Sequence, residues 1–205
     1  MLESIKSYPL LYGILVLMLG LCLFAWIKAA QVSRRRQAEK DTLIAELERE
    51  KALRREFETP VRAQIESSPP EKVLDGMRCY IQVKLERAGD AREAMEAAFY
   101  ALPEPQRLVY ALGVAMRDSD KALSDFFRLN GQPVTGAATE AARTIVGGAY
   151  AEVFRKEYDA FDEDNESASL IKSEIASLDA RFRALEESYQ GVKNYVLSNF
   201  DDLTL

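Results

Sequence analysis

From Ser7 to Ile27 the sequence reads SYPLLYGILVLMLGLCLFAWI, without one charged residue. A bilayer core about 30 Å thick takes about 20 apolar residues at about 1.5 Å of helical rise each, and this run is long enough. A helix on the surface of a soluble protein needs a polar face, and Leu, Ile, Val, Met and Phe leave none here. Tyr8, Tyr12 and Trp26 stand towards the ends of the run, where amphipathic rings favour the membrane–water interface. Lys28 closes it. A cleaved secretory signal would have a shorter apolar region and a small-x-small site ahead of Lys28, and neither is found. Residues 1–28 therefore read as a transmembrane anchor, with the lipid bilayer as its first partner.

The flanks predict an orientation. Glu3 and Lys6 precede the run, whereas Lys28, Arg34, Arg35, Arg36 and Lys40 follow it. Cations concentrate on the cytoplasmic side of a span, so the N-terminus is expected outside and the remaining chain in the cytoplasm. The arginines also attract anionic headgroups, at roughly 1 kcal/mol each near the surface. A stop-transfer role accounts for them without any specific lipid recognition.

Residues 61–205 are enough for one domain with a sizeable core. They carry seventeen Lys/Arg against twenty-five Asp/Glu, a balance of −8; residues 1–60 carry ten against eight. An acidic domain is repelled by phosphate backbones, which disfavours direct nucleic-acid binding. The chain has no histidine. That removes Ser-His-Asp and Cys-His nucleophile systems, the HExxH zinc site and imidazole ligation in general. Of the two cysteines, Cys22 lies in the apolar run and Cys79 stands alone beyond it, so the soluble part has no disulfide framework. Without a histidine beside it, Cys79 reads as a small buried apolar residue rather than a nucleophile.

Every segment beyond the run reads as helix, and no sustained period of two predicts a sheet. Residues 33–58 lack Gly and Pro and are rich in strong helix formers. With the basic flank they make a helical stalk over 29–60, ended at Thr59-Pro60. Residues 61–72, with Ser67-Ser68-Pro69-Pro70, read as a linker. The domain proper, 73–205, carries one-sided apolar stripes: Val73, Met77, Ile81 and Leu85; then Met95, Phe99 and Leu102; Leu108, Leu112 and Met116; Leu123, Phe126 and Phe127; and Ala138, Ala142, Ile145, Ala149 and Val153, broken at Gly147-Gly148. The last stripe is the most regular. Ile171, Ile175, Leu178, Phe182, Leu185, Tyr189, Val192 and Val196 alternate steps of four and three, which predicts one long C-terminal helix. Its seam must be covered by the chain's own core or by a second copy of the chain. The expected class is all-α: a transmembrane helix, a stalk and a compact multi-helix bundle closed by that long helix.

The densest charge feature is Asp159, Asp162, Glu163, Asp164 and Glu166. Asp162, Asp164 and Glu166 alternate as the first ligands of a calcium loop would. The match then fails, because Ser167 replaces the glycine and Ser173 stands where the bidentate glutamate belongs. The run reads either as an acidic turn between helices, capped by Asn165 or Ser167, or as a surface for a basic partner. Carboxylate spacing promotes no acid–base pair over another. No catalytic residue, metal site or cofactor is assigned.

Three segments resemble a family of bacterial all-helical domains best known from a DNA-mimic protein. LSDFFRLNG (Leu123 to Gly131) is similar to that family's Gly-Gly-Phe-x-Gln-Phe-Phe-x-Asn segment, with Lys121 and Ala122 in place of the paired glycines and the asparagine displaced to Asn130. TIVGGAYAEVFRKEYDAF (Thr144 to Phe161) matches its small-residue helix junction, and LDARFRALEESYQGVKNYVLSNF (Leu178 to Phe200) its closing helix. The resemblance spans about 73–200. It implies a non-enzymatic acidic bundle that displays carboxylates to a basic protein, in a bacterial cell whose inner membrane would hold the anchor. The expected function is thus that of a single-pass, membrane-anchored interaction module. A membrane-anchored homo-oligomer, assembled through the stalk or the C-terminal seam, is the alternative.

Overall fold

The computed structural model describes residues 9–89, 91–161, 172–185 and 189–205; within these, the side chains of 9–16, 21–23, 25, 27, 29–30, 32–35, 38–39 and 172 lie outside the description. The described residues are helical throughout, with no strand among them, and the fold is all-α. The chain divides into two compact units, Met1–Lys51 and Ala52–Leu205.

The first unit belongs to α1 (Pro9–Glu56). Its described apolar side chains are open to the surroundings: Leu17 is 64%, Phe24 61% and Trp26 73% exposed, and Met18 and Leu19 are also exposed. Lys28 Nζ lies 5.8 Å from the centre of the Phe24 ring, and Lys51 pairs with Glu48 at 3.0 Å. Among the described residues no helix is long and apolar enough to cross a membrane. Most side chains of Ser7–Ile27 fall outside those residues, so the expected span remains a reading of the sequence.

The second unit begins inside the segment read as stalk. Leu53 and Phe57 are buried in the bundle core, and Arg54 grips Glu86 through two hydrogen bonds of 2.8 and 2.9 Å. Within 61–72 the chain forms a short helix, α2 (Arg62–Ser67), with Ile65 fully buried. The Gln64 side chain holds the preceding turn, accepting from the Val61 N–H and donating to the Glu56 carbonyl. α3 (Pro70–Glu86) follows, with Val73, Met77, Ile81 and Leu85 all buried as their spacing requires. α4 (Arg92–Ala101) and α5 (Glu104–Asp118) come next. Both α3 and α5 carry proline in the first turn, where the missing N–H removes a donor that would have no helical partner.

α5 is the central rod, packed by α3, α6 (Leu123–Leu129) and α7 (Val134–Ala141). α7 runs into a π-helical turn, Ala142–Val146, and then α8 (Gly148–Phe161). The break at Gly147 and Gly148 has a local cause: both adopt positive φ, +75° and +57°, a region that side chains disfavour.

The long C-terminal helix is not observed as one element. α9 (Lys172–Ala184) ends in a tightened turn, the Leu185 N–H donating to the Phe182 carbonyl at 3.0 Å. α10 (Tyr189–Ser198) and α11 (Phe200–Thr204) follow. The seam divides because its halves meet different neighbours. α9 packs on α8 and α6, whereas α10 packs on α3 and the π-turn. There Gly191 comes so close that a Cβ would sit 2.7 Å from the Ile145 carbonyl oxygen.

Gly76 yields a packing prediction. A Cβ there would lie 2.5 Å from ring carbons of Phe57, itself fully buried. Gly76→Ala is therefore expected to destabilise the bundle by about 1–3 kcal/mol, against a small gain in helix propensity. A leftward shift of the urea midpoint checks it. An unchanged midpoint would mean that Phe57 is not seated there.

Candidate functional site

The five acids expected to face a partner are only partly within the described residues. Asp159 is half-buried near the end of α8 and pairs with Arg155 at 2.9 Å; Asp162, Glu163, Asp164 and Glu166 lie outside the described residues. Of the basic flank, Lys28 and Arg36 are exposed, and the side chains of Arg34 and Arg35 are outside the description. Ile171 of the seam is also outside. Leu178 and Phe182 are buried by the chain itself, while Leu185 and Tyr189 pack partly buried against the same core. Phe182 meets Tyr150 and Phe154 edge to face at 5.7 and 5.9 Å. Ile175 is half-buried.

The most unusual chemistry lies where α6, α8 and α9 meet. α8 turns Tyr150, Val153 and Phe154 inward, and the same face carries Glu157. Its residue is fully buried, and among the described residues neither carboxyl oxygen has a hydrogen-bond partner. Beside it stands a second buried acid, Asp179 of α9. This one is satisfied, since the Ser124 N–H donates to Oδ1 and the Ser124 hydroxyl to Oδ2, both at 2.9 Å. Asp179 thereby caps α6 from outside the helix, filling the role a local N-cap side chain usually takes. Arg128 completes the junction. Its Nη1 donates to Ser124 Oγ at 3.1 Å and Asp125 Oδ1 at 3.4 Å, and its guanidinium lies over the Phe161 ring at 5.6 Å.

Burial raises the Glu157 pKa to about 7, the negative charge of Asp179 adds to the rise, and Arg128 opposes it. The folded value exceeds the ordinary 4.5, so between these limits the folded state holds a proton that the unfolded chain has released. Stability must then fall as pH rises from about 4.5 to about 7 and level off above that, with a total on the order of 3 kcal/mol. Urea titrations at pH 5 and 7.5 should show this loss in the wild type and not in Glu157→Gln. A wild type equally stable at both values would refute the burial of an unpartnered carboxyl.

A separate open cleft of about 310 Å³ lies between α4, α5 and α7. Phe99, Tyr100 and Pro133 give it apolar walls, and Glu104, Arg107 and Glu140 bring both charges to it. Glu140 is engaged by Arg143 and Thr144. The guanidinium hydrogen bond holds its carboxyl below the usual range, which suits a fixed charge rather than a proton donor. The mixed lining selects no ligand class. Cys79 is buried, with Arg78 Nη2 donating to its sulfur at 3.4 Å. Among the described residues no group of three or more acids or cysteines could hold a metal ion.

Glu157 was open to detection in the sequence. It falls in the inward register of Val153 and Phe154, so a carboxyl in an apolar stripe is the signal. Its pairing with Asp179 joins two helices and has no local trace. No family model, curated protein or solved structure matches the chain.

Proposed function

We propose that this chain is a single-pass, membrane-anchored interaction protein whose acidic helical bundle docks a basic protein. One observation carries the anchor: Leu17, Met18, Leu19, Phe24 and Trp26 are all more than half exposed, within a stretch that contains no charge. Bare apolar side chains in such a row need a cover, and lipid is the cover that the length of the run fits. The docking role draws support from the −8 balance of residues 61–205 and from the acids Asp159 to Glu166. Charge complementarity of this type speeds encounter and weakens with salt. The resemblance to DNA-mimic domains supports a non-enzymatic bundle facing a basic surface, and the basic flank after the run supports the cytoplasmic side of a bacterial inner membrane.

Leu43, Ile44 and Leu47 of α1 are likewise exposed, at 58%, 58% and 56%. They favour a second reading, a parallel homo-oligomer through the stalk, over one through the C-terminal seam. Sedimentation of the detergent-solubilised full chain separates the readings, since a monomer removes the oligomer.

Photo-crosslinking in intact membranes tests the proposal as a whole. A probe at Leu19 should label lipid, and a probe at Glu166 should label a basic polypeptide. The second product should fade at several hundred millimolar salt and with Asp162→Lys and Asp164→Lys combined. Labelling of protein from position 19, or products at 166 indifferent to salt and to those changes, would overturn it.

A further inference from the structure

We propose that Glu157 is a proton-operated latch: loss of its proton draws Arg128 inward from Ser124, Asp125 and Phe161 and loosens the junction of α6, α8 and α9. The geometry points this way because the carboxyl has no partner of its own and sits beside a second carboxylate that is already fully engaged. A neutral carboxyl tolerates that position. A charged one must find a cation or water, since an ion buried without a partner is strongly disfavoured.

Among the described side chains, one cation is placed to answer. Of the charged groups facing Glu157, Asp179 comes from α9 and repels, and Arg128 comes from α6 and attracts. The remaining charges on the neighbouring elements are committed elsewhere. On α8, Arg155 pairs with Asp159 and Lys156 with Glu152, while Tyr158 accepts from Gln132. On α9, Arg181 reaches Glu152, Arg183 donates to the Asp179 carbonyl, and Glu174 is exposed at the start of the helix. On α7 and the π-turn, Glu140 and Arg143 hold each other. Arg128 is exposed and held by Ser124 Oγ at 3.1 Å and by a longer contact to Asp125 at 3.4 Å. Its inward turn would remove the guanidinium from the Phe161 ring and its Nη1 donor from Ser124 Oγ, leaving the Ser124–Asp179 bonds without that support. Ser124 links α6 to Asp179 and so to α9, which is why one proton reaches all three helices. Burial places the native-state titration near neutrality, at about pH 7, where a modest pH change alters the population of the two states.

The acidic run Asp162–Glu166 lies in the chain between α8 and α9. If that run docks a basic partner, the latch gives the docking a pH dependence. This consequence rests on the proposed function, whereas the latch does not, and a measurement made without partner keeps the two apart.

The test is a pH titration of the full chain in detergent micelles from pH 4 to 8.5, followed by NMR of carboxyl ¹³C, the Ser124 amide and the Arg128 Nε–H. The Glu157 signal is identified by its loss in Glu157→Gln. Expected is one inflection near pH 7 shared by all three probes, with the Ser124 and Arg128 inflections abolished in Glu157→Gln. Asp179→Asn should lower the Glu157 inflection by about a unit, since the like charge is removed. Should Glu157→Gln fail to fold, Arg128→Gln serves instead: it should raise the Glu157 inflection and uncouple Ser124 from it. An ordinary carboxyl titration near pH 4.5, or a shared inflection that persists unchanged in Glu157→Gln or Arg128→Gln, overturns the latch.

Discussion

Replacing Phe154 by alanine is expected to remove about 3–5 kcal/mol of stability, a large part of what a domain of this size holds in reserve. The ring is fully buried and lies edge-on to two others, Phe127 at 6.3 Å and Phe182 at 5.9 Å. Its loss would open a cavity where α6, α8 and α9 meet, and would strip the aromatic contacts that hold α9 down. Phe161→Ala is the comparison. That ring stacks on Phe127 at 5.9 Å but is only half-buried, so a loss below that of Phe154→Ala is expected. Urea unfolding followed by tyrosine fluorescence or near-ultraviolet circular dichroism measures both, because the helicity of α1 contributes to the far-ultraviolet signal. Equal losses for the two variants would show that the bundle does not pack as described.

The second large effect concerns the proposed anchor. An arginine near the centre of a membrane helix opposes insertion by about 2.5–3.5 kcal/mol. Leu17→Arg combined with Leu19→Arg should therefore move the chain from the membrane fraction into the supernatant or into inclusion bodies. Leu43→Arg with Leu47→Arg is the matched control. Those leucines are as exposed as Leu17 and Leu19 and lie on the same helix, but in a stretch rich in charge. The control should leave the distribution unchanged. If both pairs released the chain equally, generic apolar exposure would explain its behaviour and the bilayer would not be needed.

The helical class and the inward face of most stripes were legible in the sequence because periodicity reports directly on which side of a helix is apolar. The fifth stripe fails at Ala149, which is exposed, because the π-turn and the Gly147-Gly148 break reset the register and turn Tyr150 inward. Val73, Met77, Ile81 and Leu85 point inward as their spacing requires, and the Gly147-Gly148 break falls where two positive-φ residues stand. Periodicity does not name the neighbour. Phe57 read as stalk because its complement is a glycine in α3, and nothing near Phe57 announces a surface without a side chain at Gly76. Ile65 read as linker because Val61, Ala63 and Ile65, followed at once by Ser67-Ser68-Pro69-Pro70, make too short a stripe, yet Ile65 is fully buried. The C-terminal seam holds its register across Leu185 although the helix ends at Ala184, since the step of three or four persists when a chain bends towards a new partner. The acidic run drew attention through charge density, whereas Glu157 is a single carboxyl whose importance comes from what surrounds it. A charge in solvent is ordinary; the same charge against Val153 and Phe154 is a constraint on the fold.

Alkaline carbonate extraction of membranes from cells expressing the full-length chain tests the account most directly. Carbonate strips proteins held by charge and leaves those whose helices cross the hydrocarbon. The account predicts that the chain stays in the pellet at high pH and leaves it only with detergent. Quantitative recovery in the carbonate supernatant would contradict it.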